Sequence, residues 1–150
     1  MPTVVGTIQA VTFSVLDQKD VELGNQVRLQ VARYAQDCKT VKAFLIGLPA
    51  VTVLIKTYKG SGAVTIYKNK TVIVSRTLKG GAPEMAESAL FELVNWSQGD
   101  FATREQDRVR GNQITPQQAG EAIAQCEAYS VHRHGEFLQA IKASGIPLWG

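Results

Sequence analysis

Hydrophobic and polar positions alternate along the first third of the chain, and helical spacing takes over in the second half. Thr3 to Phe13 (TVVGTIQAVTF) places Val5, Thr7, Gln9 and Val11 on one parity and Val4, Ile8 and Ala10 on the other. Alternation built on β-branched residues predicts a sheet. Val15 to Asp20 reads as a strand end and a polar turn. Glu22 to Tyr34 (ELGNQVRLQVARY) sets Val27, Leu29 and Val31 against Arg28, Gln30 and Ala32, the period of two expected of a half-buried strand, with Gly24-Asn25 as turn chemistry before it. The N-terminal region therefore predicts a hairpin or two-strand unit.

Val41 to Tyr58 (VKAFLIGLPAVTVLIKTY) leaves two readings open. Its β-branched, apolar character suits a buried strand. Leu48-Pro49 could instead open a helix with Leu48, Val51, Ile55 and Tyr58 on one face. Ala63 to Leu78 (AVTIYKNKTVIVSRTL) predicts a hairpin turning at Asn69, which tolerates positive φ, between Gly60-Ser61-Gly62 and Gly80-Gly81.

After Pro83 the period changes. Met85, Ala89, Leu90, Leu93, Val94 and Trp96 recur at helical spacing, Glu84 and Glu87 occupy the first turn, and Gly99 supplies a stop. Ala102 to Asn112 (ATREQDRVRGN) reads as a polar loop. Thr115-Pro116-Gln117-Gln118 is a capping box that opens a helix through Ala119, Ala122, Ile123, Cys126 and Tyr129. Phe137, Leu138 and Ile141 predict a short last helix ended by Gly145 and Pro147. Strands followed by helices predict one α+β domain over residues 1–150, an N-terminal antiparallel sheet of hairpins packed by C-terminal helices.

Composition narrows the function classes. With 150 residues and 45% hydrophobic content, the chain is of ordinary domain size and able to form a core. No run approaches ~18 uninterrupted apolar residues, so no membrane insertion is expected. The Met1 to Gly6 segment lacks a secretory pattern, and two cysteines, Cys38 and Cys126, make no disulfide framework. A cytoplasmic location is the expectation.

Charge is unevenly spread. Between Cys38 and Pro83 stand Lys39, Lys42, Lys56, Lys59, Lys68, Lys70, Arg76 and Lys79, with no Asp or Glu, although the whole chain carries a net charge of only +3. Lys56, Lys59, Lys68, Lys70, Arg76 and Lys79 are the candidate partner-binding residues. They could recognise an acidic protein or phosphate backbones, with Tyr58 and Tyr67 as stacking surfaces for bases. The blander alternative is an edge whose lysines prevent strand-to-strand association.

Catalytic signatures are missing. Neither G-x-x-x-x-G-K-[ST] nor G-x-G-x-x-G occurs, so the glycine pairs read as turns. His132-Arg133-His134 with Cys126 has no second ligand pair for zinc and reads as a surface histidine pair. Arg104, Arg108 and Arg110, interleaved with Glu105 and Asp107, read as a solvated face with local ion pairs. No catalytic residue, metal ligand or cofactor is expected.

One segment carries a family likeness. Residues 86–101, AESALFELVNWSQGDF, resemble the E-x-A-L-x-x-L-x-x-W-x-x-G-x-F segment of the PATAN family, small bacterial domains often joined to response regulators. Gly60 to Ile66 is similar to that family's T/S-G-x-L-x-I strand, Lys68 to Val74 to its second strand, and Leu48-Pro49 with Leu54-Ile55 to its early helix. The likeness spans roughly residues 45–130; residues 1–40 have no counterpart in it. It implies a non-catalytic protein-protein interaction module, resembling adaptors in signalling or surface-motility regulation. The alternatives are a nucleic-acid-binding protein using residues 39–79, or a self-assembling homo-oligomeric structural protein.

Overall fold

The computed structural model describes residues 1–149. Five strands form one mixed sheet in the order β1-β2-β3-β5-β4: β1 (Thr3–Ile8), β2 (Val11–Val15), β3 (Val51–Lys56), β4 (Ala63–Ile66) and β5 (Thr71–Ser75). The helices are α1 (Val21–Asp37), α2 (Lys39–Ile46), α3 (Gly81–Ser97), α4 (Phe101–Arg110) and α5 (Pro116–Ala143). The α+β class stands as expected, and antiparallel pairs form both sheet edges, β1 with β2 and β4 with β5. The centre differs from the expected antiparallel sheet, because β2, β3 and β5 run parallel. Parallel neighbours need a long crossover, and α1 with α2 supplies it between β2 and β3.

Glu22 to Tyr34 is helix, not strand. Val27 and Val31 satisfy either period, being four apart, but the buried face is Gly24, Val27, Val31 and Tyr34, and Leu29 is exposed. Gly24 is no turn. A Cβ there would overlap Val15 Cγ1, so the missing side chain is what lets α1 lie close against β2. The open segment 41–58 divides: Val41 to Ile46 belong to α2, and within residues 48–58 the strand is Val51–Lys56, with Val51, Val53 and Ile55 buried while Thr52, Leu54 and Lys56 alternate outward. In the hairpin of β4 and β5 the positive φ falls on Lys70 (52°), not Asn69, because Tyr67 to Asn69 form a 3-10 turn that Lys70 closes through its N–H to the Tyr67 carbonyl.

Of the polar segment 102–112, residues 102–110 belong to α4, and only Gly111 and Asn112 form a turn. Asp100 caps that helix by accepting the Thr103 N–H at 3.2 Å, and the expected arginine-carboxylate pairs lie along it, Arg108 to Glu105 at 2.8 Å and Arg110 to Asp107 at 3.0 Å. Phe101 opens this helix. The capping box at Thr115 and Gln118 is present, but the two helices expected after it are one of 28 residues. No proline interrupts residues 117–143, so the polar middle stays helical.

One hydrophobic cluster joins sheet and helices. Val11, Phe13, Val15, Val51, Val53, Ile55, Val72 and Val74 form the buried face of the three central strands. Val27, Val31 and Tyr34 of α1, Val41 and Leu45 of α2, Met85, Ala89, Leu90 and Leu93 of α3, and Phe137 and Ile141 of α5 close over it. Ser130, fully buried on α5, donates to Asn95 Oδ1 at 2.5 Å and is also held by Gln98, so α5 is tied to the end of α3 by satisfied polar groups. Among the described residues, no helix is long and apolar enough to cross a membrane.

Candidate functional site

The strand residues of opposite parity define the site. Register aligns Val4, Ser14, Leu54, Ile73 and Val64 in one row across all five strands, and Thr7, Thr12, Thr52, Thr71 and Ile66 in the next. Paired residues share a sheet face, so these two rows lie opposite the core. The helices pack on the other side. Thr65, in register with core-facing Val72, donates its hydroxyl to the Glu92 carbonyl of α3 at 3.1 Å, and Gly24 of α1 meets core-facing Val15. The outer face thus consists of aliphatic side chains, threonines and Ser14. Leu54, Ile73, Val64 and Ile66 are half-buried, and Val4 is 60% exposed. Neither row holds a carboxylate; Lys56, next to Leu54 on β3, faces the same way.

The six candidate residues are divided between the ends of this face. Lys68 and Lys70 sit at the β4–β5 turn. Lys56 ends β3, Arg76 follows β5, and the loops carrying Lys59 and Lys79 leave from that same end. The five residues of β5 separate the groups by roughly 17 Å at ~3.3 Å per residue. The six do not form one patch; they rim an apolar strip at both ends.

Arg76 differs from the lysines. Its Nε donates to both carboxylate oxygens of Asp20, at 2.9 and 2.8 Å, and Asp20 is only 2% exposed. Arg76 is a structural partner that neutralises a buried charge, and its positive charge is largely spent inside the molecule. Tyr67 is likewise committed: its ring stacks on Trp96 with centroids 6.0 Å apart and its hydroxyl donates to the Asn95 carbonyl at 3.0 Å. Burial, with the Glu92 carboxylate second, pushes that phenol up to about 12. It is no stacking platform for bases.

The histidines also part company. His132 is exposed, but His134 is half-buried, edge-on to Phe91 at 5.3 Å, with Nε2 3.0 Å from the Glu87 carbonyl. His134 is therefore not half of a surface pair. Burial lowers its pKa, against the raising effect of the Glu87 carbonyl. A base depressed in the fold binds its proton more readily unfolded, so its contribution to stability is present above the unfolded value of about 6.5 and is lost as pH falls below it. The melting temperature of the parent chain should drop relative to His134→Gln between neutral pH and mildly acidic pH. Parallel melting curves across that range that keep a constant difference would refute this. The difference between the two proteins also removes the opposing contribution of Glu92, whose carboxyl burial raises.

The sequence reading found the lysines and missed the strip they border, because the second face of a strand declares itself only through register. No family model matches the chain, and no curated protein or solved structure matches it.

Proposed function

We propose that this chain is a non-catalytic, cytoplasmic protein-interaction module, of the kind its likeness to the bacterial PATAN segment implies, and that it docks an acidic partner through the outer sheet face. The observation that carries this reading is a five-strand face with, among the described residues, no helix over it, no carboxylate in its two rows, and lysines at both ends. Aliphatic and threonine side chains offer area to exclude water. Lys56, Lys68 and Lys70 at the rim attract negative charge, fix orientation and speed encounter more than they add affinity. The partner that fits is a protein presenting an apolar strip flanked by Asp or Glu. The split arrangement of the lysines, and the internal use of Arg76 and Tyr67, fit this better than a continuous phosphate-binding groove.

The test is affinity capture with three baits: the parent chain, Leu54→Asp, and the Lys56→Glu/Lys70→Glu double variant. A charge at the centre of a docking face should weaken binding at least about tenfold, since central contacts dominate interfaces. The rim variant should retain part of the binding and lose its dependence on salt. Capture of the same protein by a folded Leu54→Asp bait at undiminished affinity would refute the proposal. So would retention of nucleic acid in place of protein, or concentration-dependent self-association that Leu54→Asp abolishes.

A further inference from the structure

On the helical side of the molecule, away from the outer sheet face, lies a cavity of about 570 Å³ between α3, the start of β4, α5 and the C-terminal tail. Its volume falls in the range of small-molecule sites, roughly 300–1,000 Å³. Glu84, Glu87 and Phe91 line it from α3 at spacings of three and four residues, and Glu92, four residues after the lining Ser88, extends the same stripe. His134 and Trp149 line it from α5 and the tail. No lysine or arginine is among the lining residues.

The three carboxylates are held in place by uncharged groups. Glu84 Oε1 accepts the Gly80 N–H at 2.8 Å, and Glu87 Oε2 accepts the Trp149 N–H at 2.7 Å. Glu92, only 8% exposed, takes the Asn95 amide at 3.3 and 3.4 Å. Among the described residues, none of the three has a cationic partner within ion-pair distance. Negative charge on Glu84 and Glu87, recessed beside Phe91 and Trp149 without a counter-ion, favours a ligand that brings the cation with it. Burial raises the Glu92 carboxyl, and that group too ionises more readily once a cation arrives. A carbonyl can only accept, so His134 Nε2 carries the hydrogen toward Glu87, and neutral imidazole leaves Nδ1 as a further acceptor. Among the described residues, no three His, Cys, Asp or Glu side chains gather closely enough to hold a metal ion. The charges are spread along an apolar wall, as an extended molecule requires.

We propose that this cavity binds a small organic polycation whose ammonium or guanidinium groups are spaced along an aliphatic stem. The carboxylates take the N–H donors, while Phe91 and Trp149 flank the stem and its charged heads. The proposal is independent of the docking face. Isothermal titration calorimetry of the full chain at physiological salt, with spermidine, agmatine and magnesium chloride as separate probes, tests it. At least one amine should bind saturably and at least about tenfold more tightly than magnesium, and Glu84→Gln/Glu87→Gln, which keeps both accepted hydrogen bonds, should weaken it at least about tenfold. Trp149→Ala, at a half-exposed position outside the core cluster, should weaken it too, and it decides the matter if the double variant does not fold. No saturable heat with either amine at millimolar concentration, equal affinity for magnesium, or undiminished affinity in the folded variants would overturn the proposal.

Discussion

Tyr34→Ala should lower the unfolding free energy by about 3–5 kcal/mol, the range for deleting a fully buried aromatic ring, whereas Leu29→Ala should change it by less than about 0.5 kcal/mol. Tyr34 is 0% exposed at the end of the α1 core face, beneath its hydroxyl contact with Gln30 at 3.3 Å. Leu29, five residues earlier, is 51% exposed. The pair separates helix from strand directly. On a half-buried strand Leu29 would share the face of Val27 and Val31, and its truncation would cost as much as theirs. Urea unfolding at constant m-value gives both numbers. A Leu29→Ala cost matching that of Tyr34→Ala would mean that the described face of α1 is wrong.

That contrast also shows where the chain discloses its structure. Helix α3 and the opening of α5 were readable because several local signals agree: apolar spacing, Glu84 in the first turn of α3 and Gly99 after it, and the capping box of α5. Gly99, at φ +73°, closes α3 as its position suggested. The hairpin of β4 and β5 was readable for the same reason. Helix α1 was not, because Val27 and Val31 serve both periods and Gly24-Asn25 carries turn chemistry. The role of Gly24 is set by Val15, nine residues away, which no local window weighs. Helix α4 was hidden by its lack of an apolar stripe. Its buried positions are Phe101 and Glu105, and the latter is a carboxylate kept inside by Arg104 and Arg108.

The candidate site divides along the same line. Lysine content is local and was visible; which lysines share an end, and what lies between them, depends on the placement of β5 between β3 and β4. That placement makes the centre of the sheet parallel and puts Leu54 beside Ile73. The α3 carboxylates were readable only as helix-dipole partners. Their recess exists because Trp149 and His134 return to α3 from 47 or more residues away.

Arg76→Ala should cost about 3 kcal/mol of stability, near the lower end of the range for breaking a buried ion pair, while Lys59→Ala, Lys68→Ala and Lys79→Ala should each stay within about 0.5 kcal/mol. All four belong to the same basic stretch, so charge alone predicts no difference among them. Geometry does. Asp20 occupies a 3-10 turn leading into α1, and its carboxylate is closed off from water except through Arg76. Removing the guanidinium strands a negative charge that must be neutralised or rehydrated, and the junction between α1 and β5 loosens to allow it. The lower end of the range applies because the Arg76 side chain is itself 31% exposed, so water can partly replace it. In an Asp20→Asn background the same Arg76→Ala change should cost at least about 1 kcal/mol less, because the stranded charge is gone; a double-mutant cycle isolates that coupling. A cost within about 0.5 kcal/mol for Arg76→Ala, combined with a loss of partner capture equal to that of Lys56→Glu/Lys70→Glu, would return Arg76 to the recognition surface and remove it from the frame.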